Sequence, residues 1–99
     1  MSFFLALEIH LHFPDNGSLK GKRKELLAVR SALSKRFGAA VAEVDHQDLW
    51  QRSTLGAALV GDSVRELDRA ADGLERYLEA RFPEGVRVDR RLVSFSDLG

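Results

Sequence analysis

Cysteine is absent from this sequence of 99 residues, which excludes disulfide bonds, thiol nucleophiles and zinc sites made of thiolates. The absence also fits a reducing compartment, so we expect a cytoplasmic protein. No apolar run approaches the roughly 18 residues that cross a bilayer, so no membrane partner is expected. The opening MSFFLALEIHLHF lacks the basic segment and the cleavage site of a secretory signal, and it alternates as a strand does.

Glycine-rich catalytic and phosphate-binding motifs are also missing. The sequence contains no Walker loop, no G-x-G-x-x-G and no G-x-S-x-G. We therefore expect no cofactor, and the sequence favours a protein that is not an enzyme. A chain of this length forms one domain, residues 1–99, around one core.

Charge is balanced overall but unevenly placed, with 15 basic and 15 acidic residues. Residues 18–37 hold seven basic residues and one acidic residue, a surplus of six positive charges. Residues 62–84 hold four basic and seven acidic residues, a surplus of three negative charges. A basic segment of this kind indicates an anionic partner more directly than the neutral total does.

Hydrophobic periodicity predicts the first strand and the first helix. Apolar residues occupy every odd position from 3 to 11, the period of a strand with one face in the core. A loop, FPDNGS, follows, and Ser18 is a candidate N-cap. Leu26, Val29, Leu33 and Phe37 then recur at helical spacing, and Gly38 ends the helix.

Two further strands, a second helix and a last strand follow. AAVAEVDH and RSTLGAALVGD are predicted strands, joined by a hairpin tip at QDLWQ. A helix from about Ser63, a second candidate N-cap, to Phe82 and the strand VRVDRRLVSF complete the order β-α-β-β-α-β. This order predicts an α+β, ferredoxin-like fold with a four-stranded antiparallel sheet, strand order 4-1-3-2, and both helices on one face.

The segment EVDHQDLWQR lies at one end of this fold. The first strand and the second strand end there, the third begins there, and so does the first helix. We expect a surface for RNA or a protein partner at this end, in which cations contact phosphate and a tryptophan supplies packing. Its predicted residues are Lys20, Lys22, Arg23, Gln47, Trp50 and Arg52.

The histidines suggest two weaker alternatives. His10 and His12 share a strand face, and with Asp45 they could offer three metal ligands. However, the second strand lies about 10 Å from the first, and His46 should point toward the helices, so no metal site is expected. A base at His46 oriented by Asp45 or Asp48 lacks a nucleophile motif, which leaves an enzyme acting on a small anion as the least favoured reading.

The helix-free face of the sheet is expected to carry an apolar patch and a polar region. The polar region would include Glu8, His10, Glu43 and Asp45. An exposed apolar patch often marks a protein contact, so we predict a homodimer through this face. Its predicted residues are Phe4, Ala6, Ala58, Val60, Val93 and Phe95.

Two stretches, SLKGKRKELL and AEVDHQDLWQRSTLGAALV, resemble the YlxP-like family of small bacterial proteins of unknown function. The resemblance implies a ferredoxin-like fold. It also implies a gene that is often a neighbour of genes for translation-initiation and ribosome-maturation factors. It supplies no catalytic residue. Together with the basic segment, it predicts a non-enzymatic accessory factor that contacts RNA or a ribosomal particle. The alternative is a homodimeric protein-interaction module with no nucleic-acid role.

Overall fold

The computed structural model describes residues 1–14, 17–83 and 85–98. Asp15 and Asn16 of the predicted loop, Glu84 after the second predicted helix, and Gly99 lie outside the described residues. The elements are β1 (Phe3–His12), α1 (Leu19–Phe37), β2 (Ala40–Asp45), β3 (Arg52–Gly61), α2 (Val64–Arg81), β4 (Val86–Ser94) and a 3-10 helix (Phe95–Leu98).

The strands form one sheet in the order β2-β3-β1-β4, and every neighbouring pair is antiparallel. This is the predicted order 4-1-3-2 read from the other edge, so the ferredoxin-like prediction is confirmed. Among the described residues, neither helix is long and apolar enough to cross a membrane.

The core lies between the two helices and one face of the sheet. Alternate residues of the central strands face it, and Ile9 and Leu55 are completely buried there. Val29 and Leu33 of α1 and Leu74 of α2 cover them from the helix side. The alternation in β1 and the stripe in α1 therefore predicted the correct faces.

Both helices begin and α1 ends as the sequence predicted. The Ser18 hydroxyl accepts a hydrogen bond from the Gly21 N–H at 3.0 Å, and the Ser63 hydroxyl accepts from the Glu66 N–H at 3.2 Å. Gly38 adopts φ = 71°, a left-handed conformation that glycine takes without a steric penalty.

The predicted facing of β2 is wrong. Glu43 pairs with the core residue Leu55, so Val41 and Glu43 face the helices, whereas Ala42 and Val44 lie on the helix-free face. A bulge between Glu43 and Asp45 then shifts the register, and Asp45 pairs with Thr54. Glu43 therefore does not join the polar region of the open face.

The end of the chain also departs from the prediction. Phe95 begins the 3-10 helix instead of ending β4, and its ring lies 5.5 Å from the ring of Phe4 between centroids. β4 is joined to α2 through Arg90, which donates to Asp72 Oδ1 at 2.7 Å and to Glu75. Arg90 thereby neutralises part of the acidic surplus of residues 62–84.

Candidate functional site

Lys22 is the most deeply buried charged residue among those described, with 1% of its surface exposed. Its Nζ donates hydrogen bonds to the carbonyl oxygens of His46 and Leu49, each at 2.6 Å. It also lies 2.9 Å from Glu43 Oε2, which accepts a hydrogen bond from the Ser53 hydroxyl at 2.6 Å. We call Lys22, Glu43 and Ser53 the lysine cluster.

The lysine cluster corrects the predicted role of Lys22. An ammonium that is buried and already bonded to three oxygens has no free donor for a phosphate, because three is its full donor capacity. Lys22 instead fastens the hairpin between β2 and β3 to the first turn of α1. Its role is to position the neighbouring surface.

The Glu43 carboxylate stays charged inside this cluster. Burial by itself raises its pKa, but the Ser53 hydrogen bond, the Lys22 ammonium and the more distant charge of Arg30 outweigh burial. The net result is a pKa below the ordinary value of 4.5. The charged form therefore stabilises the fold at neutral pH.

The hairpin turn is held from both sides. The Leu49 N–H donates to the His46 carbonyl at 3.1 Å, and Asp45 Oδ1 accepts from the His46 N–H at 2.7 Å. His46 adopts φ = 62°, a left-handed conformation that is uncommon for a residue with a side chain. Trp50, the residue after Leu49 in the hairpin, is 48% exposed.

Five of the six predicted partner-binding residues are exposed at this end of the fold. Lys20 and Arg23 lie in the first turns of α1, and Gln47, Trp50 and Arg52 lie on the hairpin. Lys22 brings the two segments together. Lys24 and Arg30 add further cations to the exposed side of α1, where Arg30 Nη2 donates to the Val41 carbonyl at 3.4 Å.

The three histidines meet in a way that the sequence analysis did not predict. His10, His12 and His46 line one cavity of about 250 Å³ with Arg52 and Arg87. The prediction that His46 points away from His10 is therefore wrong, because the bulge in β2 and the left-handed backbone of His46 redirect the chain. Asp45 Oδ2 lies 3.9 Å from His46 Nε2, too far for a hydrogen bond.

The metal ligands weighed from the sequence do not converge as a set. The nearest carboxylates to His10 Nε2 are Glu8 Oε1 at 3.0 Å and Asp89 Oδ2 at 3.5 Å, in place of Asp45. Asp89 lies in β4, and no local motif pointed to it. Asp89 joins Glu8 and His10 only because the register between β1 and β4 places it opposite Glu8.

Solved structures share this fold at low sequence identity. The designed protein Foldit4 superposes with a TM-score of 0.64 at 10% identity, over 95% of this chain and 98% of that protein. A VAO-type flavoprotein from Myceliophthora thermophila C1 gives 0.62 at 16% identity, over 96% of this chain but 17% of the flavoprotein. Similarity at these identities concerns the fold alone.

Sequence comparison identifies relatives more directly. The chain is 31% identical over 81 residues to the uncharacterized protein YlxP of Bacillus subtilis (strain 168), covering 82% of this chain and 87% of that protein. The family model described as "Protein of unknown function (DUF503)" matches residues 4–91. The chain therefore belongs to this family of unknown function, and its predicted resemblance to YlxP-like proteins is confirmed.

Proposed function

We propose that this protein is a non-enzymatic cytoplasmic accessory factor that contacts RNA, including the RNA of a ribosomal particle. The contact surface is the exposed side of α1 together with the adjoining hairpin. The observation that carries the proposal is a row of exposed cations, Lys20, Arg23, Lys24 and Arg30, which we call the basic stripe. A role in translation or ribosome maturation rests on the genetic setting that the family resemblance implies.

The basic stripe has the spacing of one helix face. Its residues lie within about a third of the helix circumference, and at 1.5 Å per residue they extend over roughly 15 Å. Within the described part of the chain, Lys20, Arg23 and Lys24 form no ion pair. The only acidic residue of α1, Glu25, is bound to Arg81 at 2.9 Å. These cations are therefore available to phosphate groups.

The hairpin lies at the end of the fold where α1 begins, and it adds polar and aromatic groups to the proposed contact surface. Trp50 is half exposed, and Gln47 and Arg52 are exposed on the same hairpin. An indole can stack on a base, and a guanidinium can bind a phosphate in bidentate fashion. The lysine cluster fixes the hairpin relative to α1, so little ordering entropy is lost on binding.

The first prediction concerns the salt dependence of binding. Labelled single-stranded RNA, titrated with the protein between about 50 and 200 mM salt, should bind more weakly as salt rises. Four phosphate contacts, from Lys20, Arg23, Lys24 and Arg52, give an expected slope of about −3 in log affinity against log salt concentration. Fluorescence anisotropy measures the affinity.

Sedimentation of the tagged protein in bacterial extract, with and without nuclease and across a salt series, tests whether it associates with a ribosomal particle. Salt-sensitive migration with a ribosomal particle supports the proposal. Affinity that does not change with salt, or no RNA binding at the lowest salt, would overturn it.

An exposed apolar patch on the open face supports a second candidate, a homodimeric interaction module. Val60 is 68% exposed, and its cross-strand partner Phe4 is partly buried, as is Val93, the partner of Phe4 on the other side. Phe95 is also exposed and contacts the Phe4 ring. A second copy could cover this patch with the same residues, as two-fold symmetry requires.

The second prediction therefore places a charge in this patch. Val60→Lys should convert a dimer into a monomer, because the interface would bury an unpaired ammonium. Gel filtration with light scattering at high micromolar concentration measures the mass. Leu27→Lys is the matched control, since Leu27 is 70% exposed but lies on α1. A monomeric unmodified protein would contradict the dimer.

A further inference from the structure

The helix-free face of the sheet carries a cluster of polar side chains that the RNA proposal does not use. We propose that Glu8, His10 and Asp89 bind a divalent transition-metal ion, for which Zn²⁺ is the appropriate probe. The ligand atoms are Glu8 Oε1, His10 Nε2 and Asp89 Oδ2. This site lies on the sheet face opposite the helices, so it is independent of the basic stripe.

Strand geometry brings the three side chains together. Glu8 and His10 are two residues apart in β1 and therefore project from the same face, and Asp89 of β4 is the direct cross-strand partner of Glu8. Their ligand atoms all lie within 4.8 Å of one another. Because the three residues sit on paired strands of a sheet, their positions are set before any ion binds.

The distances match those of neighbouring ligands around one ion. Two donor atoms each ~2.1 Å from zinc, at angles of 90–110°, lie ~3.0–3.4 Å apart. His10 Nε2 lies 3.0 Å from Glu8 Oε1 and 3.5 Å from Asp89 Oδ2. The imidazole nitrogen is therefore close enough to each carboxylate to share an ion with it, and the two carboxylate oxygens lie within 4.8 Å of each other.

His10 Nε2 has an unmet bonding need. The atom is buried, yet within the described residues it makes no hydrogen bond of acceptable geometry, despite the two nearby carboxylates. Buried polar atoms almost always have a partner, so an exception points to a missing group. A cation placed among the three atoms would satisfy the nitrogen lone pair and both carboxylates.

Charge in this group also favours a cation. Glu8 and Asp89 are like charges placed directly opposite each other on paired strands, an arrangement that destabilises a sheet. Arg87 Nη2 approaches Asp89 Oδ2 at 3.6 Å, but that side chain is 70% exposed and free to turn into solvent. A divalent ion would neutralise both carboxylates at once.

The donor set indicates the class of metal. One imidazole with two carboxylates suits zinc and the neighbouring first-row ions better than it suits calcium or magnesium. Three protein ligands leave at least one coordination position for water or for a donor from another molecule. The site thus offers a binding function to three side chains that neither the proposed RNA contact nor the proposed homodimer uses.

Zinc titration of the untagged 99-residue chain, after treatment with a chelator, tests the proposal. Isothermal calorimetry should give one Zn²⁺ per chain, and zinc should raise the melting temperature. His10→Gln should weaken zinc binding at least ~10-fold, since even residues that only support a metal ligand have effects of that size. His12→Gln is the matched control, because His12 lies two residues further along the same strand and face, and its affinity should be unchanged.

A charge-neutral variant separates metal binding from a structural role. Glu8→Gln should leave the melting temperature of the metal-free protein equal or higher, because it removes the repulsion, yet it should abolish the rise caused by zinc. Failure of the unmodified chain to bind zinc would overturn the proposal. So would a loss of zinc affinity in His12→Gln equal to that in His10→Gln. RNA affinity, measured on the same variants, should not change in either case.

Discussion

Lys22→Met is expected to lower the free energy of unfolding by about 3 kcal/mol, which corresponds to a fall of roughly 15 °C in melting temperature. Methionine has a similar length but no donor. The variant leaves the Glu43 carboxylate without its ion pair and the carbonyls of His46 and Leu49 without the Nζ donor. Removal of one member of a buried ion pair is among the costliest single changes.

Chemical and thermal denaturation followed by circular dichroism would measure this loss. Lys20→Met provides the control, since Lys20 is exposed on the same helix and its replacement should change stability by less than ~0.5 kcal/mol. Lys22→Met combined with Glu43→Gln should lose less than the sum of the two single variants, because the residues interact directly. An unchanged melting temperature in Lys22→Met would show that the cluster contributes nothing.

Acid sensitivity provides a further signature of the same cluster. The pKa of Glu43 is lowered in the folded protein, so its stabilising effect is complete above the ordinary value of 4.5. That effect is lost as the pH falls below this value and passes through the lowered pKa. Glu43→Gln should therefore flatten the acid limb of a stability curve measured from pH 7 downward.

Reversal of three charges in the basic stripe is expected to weaken RNA affinity by about 100-fold near physiological salt. The variant Lys20→Glu, Arg23→Glu, Lys24→Glu removes three phosphate contacts and adds repulsion. It should also make the salt slope shallower by about 2. Because all three side chains are exposed, the melting temperature should change little.

A matched reversal on α2 distinguishes local contact from net charge. Arg65→Glu, Arg69→Glu, Arg76→Glu changes the net charge by the same amount, and all three arginines are exposed. This control should retain most of the affinity, because its side chains lie on the other helix. Equal weakening by both variants would show that the basic stripe makes no direct contact with RNA.

The amino-acid sequence alone determined the elements, their order and the caps of the helices. Period-two alternation in β1 and the stripe in α1 come from neighbours along the chain, as do the hydroxyl caps at Ser18 and Ser63. These local signals are strong, and the order β-α-β-β-α-β then leaves few topologies, so the sheet order could be predicted as well.

β2 shows where local signals fail. It has six residues, and both of its alternating sets contain a valine, Val41 in one and Val44 in the other. Alternation therefore could not decide which set faces the core. Pairing with β3 and a bulge decided it, and this placed Glu43 under α1.

Only the tertiary structure decided the role of each charged group. Lys22 precedes Leu26 by four residues and so continues the buried stripe of α1, a signal that was present, but a lysine is ordinarily exposed unless it has a partner. That partner, Glu43, is known only once β2 has its register. Glu8 and Asp89 likewise meet because β1 pairs with β4, although the two strands are far apart in the sequence. Periodicity depends on sequence neighbours, whereas the partner of a charge depends on strand register, which is fixed only when the whole core is packed.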